Sequence, residues 1–161
     1  MGRDRGNMSS SLCGHYGWGM TDPTALPSFP PPPDEHPLRG RVLDVLQDLG
    51  IAPAIDSDGD VAFTVGEPAQ QLFARCQDGD FPVMRIFGQW QIGEPASPDP
   101  LARLQRCNDV NLEWQVVKVG IAADNLVVTA DQVILPGTDL TALVQLSVTL
   151  VLQVVGAWYG S

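Results

Sequence analysis

Positive charge is scarce in this chain. Nine Lys and Arg stand against 19 Asp and Glu in 161 residues, leaving a net charge of −10. A sequence-independent nucleic-acid binder needs cations to displace phosphate counterions, so that class is excluded. Anionic membrane surfaces are disfavoured on the same ground. Histidine is rarer still: only His15 and His36, both in the N-terminal lead-in, leaving no imidazole in the folded core to activate Cys76, Cys107 or a serine. Cys13, Cys76 and Cys107 are odd in number and lack C-x-x-C spacing, so neither a disulfide framework nor a zinc knuckle is indicated. No G-x-G-x-x-G, P-loop or G-x-S-x-G pattern occurs. The first twenty residues have no continuous apolar stretch of the secretory kind, so a cytoplasmic location with free thiols is expected. No catalytic residue, cofactor or metal is indicated, and the protein is expected not to be an enzyme.

Apolar residues are plentiful, at 44% of the chain, enough for a real core. They are unevenly spread. Residues 1–37 are rich in Gly, Ser and Pro and end in Phe29-Pro30-Pro31-Pro32-Pro33-Asp34-Glu35. This stretch predicts a disordered segment closing in an extended polyproline lead-in. The proline run followed by acids also resembles ligands of EVH1 domains, while a solvated linker is the plainer reading. Residues 38–161 form one domain.

Within it, Leu38, Val42, Leu43, Val45, Leu46 and Leu49 recur at helical spacing, and Gly50 is placed to end that helix. Ile51–Ile55 and Val61–Val65 flank Asp56-Ser57-Asp58-Gly59-Asp60, a hairpin signal. Strands are expected at Gln71–Cys76 and Val83–Trp90. Asp99 or Ser97 can cap a helix with Leu101, Leu104, Cys107 and Val110 on its inner stripe. Trp114–Ala122 and Leu126–Ile134 read as strands around a turn at Ala123-Asp124-Asn125, and a long apolar helix follows from Thr138 or Asp139 to about Tyr159. The order α-β-β-β-β-α-β-β-α gives an α+β fold whose sheet is mainly antiparallel and flanked by helices.

The last helix approaches the roughly 20 residues that a bilayer demands. Thr141, Gln145, Thr149 and Gln153 nonetheless form a continuous polar stripe, which suits a helix packed on a sheet with one side in water. Val144, Val148, Val151 and Val155 form a flank beside Leu140, Leu143 and Leu150; covering that flank predicts a homodimer. Asp56, Asp58 and Asp60 invite a calcium reading, but Val61 occupies the position where the loop needs Gly, so a hairpin turn is the better account. Trp90, Trp114 and Trp158 sit at element ends, where aromatics serve as core rims or as anchors for a partner.

Taken together, residues Leu38 to Trp158 resemble the YbjN family, bacterial proteins described as sensory-transduction regulators. The resemblance rests on Leu49-Gly50, on Asp58-Gly59-Asp60-Val61 turning into a strand, and on Cys107-Asn108-Asp109-Val110-Asn111 followed by a strand with Lys118. It implies a fold like that of type III secretion chaperones and frequent dimers, with no catalytic residues. Asn108 and Asn111 are suited to ending the middle helix. The leading function is thus a non-enzymatic regulatory or chaperone-like module that binds a protein or peptide segment. The alternative is a small-molecule or metal-binding sensor.

Overall fold

The computed structural model describes residues 36–160, so residues 1–35, with the proline run, His15 and Cys13, lie outside the described residues. Helix α1 (Pro37–Asp48) opens the domain and turns Leu38, Val42 and Leu46 inward. His36 offers no capping side chain; instead the Leu38 amide donates to Asp78 Oδ1 at 3.0 Å, supplied by the loop after β3. The helix ends as its sequence dictates. Gly50 adopts φ +76° while its amide donates to the Gln47 carbonyl and that of Ile51 to Leu46, the paired bonds of a Schellman motif.

Four strands follow: β1 (Ala54–Ile55), β2 (Val61–Val65), β3 (Gln70–Gln77) and β4 (Val83–Gln91). β1 is shorter than its apolar run suggests, and Pro53, which has no amide to donate, stands immediately before it. Helix α2 (Pro100–Glu113) is capped by Asp99, whose side chain accepts from the Leu101 amide. Strands β5 (Val117–Ala122) and β6 (Asn125–Val133) flank Ala123 and Asp124, both at positive φ, a two-residue turn whose twist matches that of the strands. β5 starts three residues later than expected. Trp114 is the cap of α2 rather than part of a strand, and Val116 takes φ +67°, unusual for a β-branched residue, where the chain changes direction. Helix α3 (Leu140–Tyr159) is capped by Asp139, which accepts from Ala142.

The six strands form one antiparallel sheet in the order β1-β2-β3-β4-β6-β5. The three helices lie side by side against it, with α3 over β4 and β6 between α1 on β3 and α2 on β5. Alternation decides the faces. Val61, Phe63, Leu72, Ala74, Met84, Ile86, Val117, Val119, Leu126, Val128 and Ala130 point under the helices into one core. Gly88 belongs to this face because the Trp90 ring and Leu72 occupy the space where a Cβ would stand.

In α3 the expected polar stripe of Thr141, Gln145, Thr149 and Gln153 is exposed. Its buried stripe is Leu140, Val144, Ser147, Val151, Val154 and Trp158. Val144 and Val151, expected on a flank that a second copy would cover, therefore lie in the core of their own chain, and Val148 and Val155 pack half-buried against it. The helix is long and apolar enough to cross a membrane by length and composition, at a mean hydropathy of 1.9.

Candidate functional site

The inner stripe expected for α2 is only half present. Cys107 and Val110 are buried, but Leu101 is 71% exposed and Leu104 55%. The reason lies with two arginines. Arg103 donates from Nε to the Ser97 carbonyl at 2.6 Å. Arg106 donates from Nη2 to Ala157 at 2.5 Å and from Nε to Trp158 at 3.4 Å. Their heads thus take the inward positions beside the Ser97 loop and the last turn of α3, where a cation also answers the helix dipole. The leucines are turned outward. With Leu112 at 80% exposure and Val116 just beyond, they leave an apolar face along the outer side of α2.

Beside that face runs β5, the outermost strand. Its register with β6 leaves the amide and carbonyl of Val119 pointing away from the sheet. Asn111 satisfies both: its Oδ1 accepts from the Val119 amide at 2.8 Å and its Nδ2 donates to the Val119 carbonyl at 2.9 Å. The expectation that Asn111 ends the helix is corrected. α2 continues to Glu113, and Asn111 uses its amide to close the free sheet edge at mid-strand. Asn108 is exposed.

The sheet face away from the helices carries its own polar lattice. Phe73 and Phe87 stack across β3 and β4 with centroids 5.3 Å apart, and Arg75 lies over the Phe87 ring. Arg75 holds Asp60 through two bonds of 2.9 and 2.6 Å. Arg85 grips Asp131 at 2.6 and 3.1 Å, and Lys118 reaches the same carboxylate at 2.7 Å. The hydrogen bond from Arg85 is the largest influence holding the Asp131 carboxyl below its ordinary pKa; burial opposes it and Lys118 adds to it.

Three tryptophans were candidate partner anchors. Trp90 lies half-buried on the core side of β4, and its Nε1 donates to Gln70 Oε1 at 2.8 Å. Trp114 is half-buried where α2 ends, and Trp158 is in the core, edge-on to Tyr159 at 4.9 Å. None of them belongs to the outward face of α2, which carries Leu112 together with Leu101 and Leu104, the two leucines that periodicity had assigned to the core. In the acidic turn, Asp56 Oδ1 accepts the amides of Asp58 and Asp60, while buried Asp60 is committed to Arg75. Among the described residues no group of three or more His, Cys, Asp or Glu is placed to hold a metal ion. Burial first, then Asp78, pushes the Cys76 thiol up to about 12, far from a reactive thiolate. Cys107 is a buried residue of the inner stripe of α2.

Similarity to known proteins agrees with the resemblance read from the sequence. No curated protein matches the chain. Among solved structures, the chain is similar to the crystal structure of YbjN from E. coli, titled a "putative transcription regulator". It has 15% identity and a TM-score of 0.48, covering 71% of this chain and 86% of that one. Residues 39–159 match the YbjN family, described as "Putative bacterial sensory transduction regulator". That span takes in the whole sheet and nearly all of the three helices, and the chain belongs to the YbjN family.

Proposed function

We propose that this chain is a non-enzymatic cytoplasmic regulator that works through protein contacts: two copies pair through α2, and the pair engages a protein or peptide segment. One observation carries the reading, the outward row of Leu101, Leu104 and Leu112 on a helix that buries only two residues completely. Leaving such side chains wet forgoes roughly 1.5–3 kcal/mol for each one that a partner would bury. A second copy fits this face in antiparallel orientation, which sets Leu101 beside the partner's Leu112. Strand addition at β5 does not fit as well, because Asn111 already occupies Val119.

Sedimentation equilibrium tests the proposal. The expected result is a species approaching twice 17.3 kDa at micromolar concentration, reduced to a monomer by Leu112→Ser. A 17.3 kDa species at every concentration, or a dimer untouched by Leu112→Ser, would overturn it. The sensor reading finds support in a different place, on the inner side of the same helix.

A further inference from the structure

Three cations of the described domain are paired with carboxylates. Arg75 holds Asp60, while Arg85 and Lys118 share Asp131. Arg103 and Arg106 differ. Neither forms an ion pair among the described residues; both are held by backbone carbonyls, which carry no formal charge. Arg39 and Arg41 of α1 form no ion pair among the described residues either; what sets Arg103 and Arg106 apart is that both line one pocket. Asp99, four residues before Arg103, accepts from the Leu101 amide, and Asp109, three after Arg106, accepts from Gln105.

These two arginines line a pocket of about 150 Å³ between the Pro95–Ser97 loop, α2 and the end of α3, together with Trp158 and Tyr159. A guanidinium carries five N–H donors, and the bonds to Ser97, Ala157 and Trp158 use one on Arg103 and two on Arg106. Those bonds also fix both heads before any ligand arrives, which lowers the ordering cost of binding. The remaining donors can fork onto a planar or tetrahedral oxyanion, and the aromatic pair supplies a wall for an apolar body. We infer that this pocket binds a small anion with a carboxylate or phosphate head on an aromatic or apolar body. The site lies on the side of α2 away from its leucine row and does not depend on pairing of two copies.

Calorimetric titration of the full chain tests it with four probes: phenyl phosphate, benzoate, inorganic phosphate and benzyl alcohol. Saturable binding of phenyl phosphate or benzoate below about 1 mM is expected, and the tighter of the two names the head group. Inorganic phosphate, without a body, binds at least about threefold more weakly, and benzyl alcohol, without a charge, shows no saturation. Arg103→Gln weakens the bound anion about tenfold or more, whereas Arg103→Lys, which keeps the charge, loses less. Leu112→Ser keeps ligand binding, so this inference and the paired-copy reading fail separately. The inference is overturned if neither organic anion saturates below about 10 mM, or if Arg103→Gln leaves the affinity unchanged.

Discussion

Two side chains set the behaviour of the outer strands. Asn111 satisfies the outward-pointing amide and carbonyl of Val119 together, so its removal leaves both without their partner and reopens the edge. Asn111→Ala is expected to cost about 1–2 kcal/mol in urea denaturation. An unchanged midpoint would show that the contact contributes nothing. Asp131 works through charge. Its pKa is depressed in the folded state, so its contribution is present above the ordinary carboxylate value and lost as pH falls through the lower folded value. Arg85 and Lys118 are both well exposed, which reduces the size of the effect. Asp131→Asn should therefore be less stable than the natural chain by about 1 kcal/mol at pH 7, with the gap closing below about pH 4. Thermal melts of both proteins from pH 7 to 3 check this, and a gap independent of pH would contradict it.

At the scale of elements, local rules read well and inter-element rules did not. Gly50 ended α1, Asp99 and Asp139 capped α2 and α3, and the turn before β6 fell where expected, because each depends only on neighbouring residues. The face of α2 was misread because periodicity counts Arg103 and Arg106 as outward. Their inward placement requires the Ser97 loop and the last turn of α3, the latter some 50 residues away, which no local window contains. Asn111 was misread for a related reason: its partner is a strand edge created only by the β5–β6 register. The acidic turn between β1 and β2 is held by its own amides and by Arg75. Micromolar calcium is accordingly expected to leave the melting temperature unchanged in both the natural chain and Asp58→Asn. A clear rise that Asp58→Asn abolishes would restore the calcium reading.

For the molecule as a whole, the structure moves the motive for self-association from one helix to another. Val144 and Val151 of α3 are satisfied within their own chain, while α2 holds its leucines to solvent beside a strand edge closed at Val119. If two copies meet there in antiparallel fashion, Asn108, at mid-face, lies near the two-fold axis. Helix axes in contact sit about 8–10 Å apart, so labels on the two copies of this residue must be close. The most direct measurement is an electron-spin distance on Asn108→Cys in a Cys13→Ser background, labelled with a nitroxide. The account predicts a single distance below about 25 Å, abolished by Leu112→Ser. No dipolar coupling, or one distance beyond about 40 Å, would contradict it, because two α2 helices in contact cannot place their midpoints so far apart.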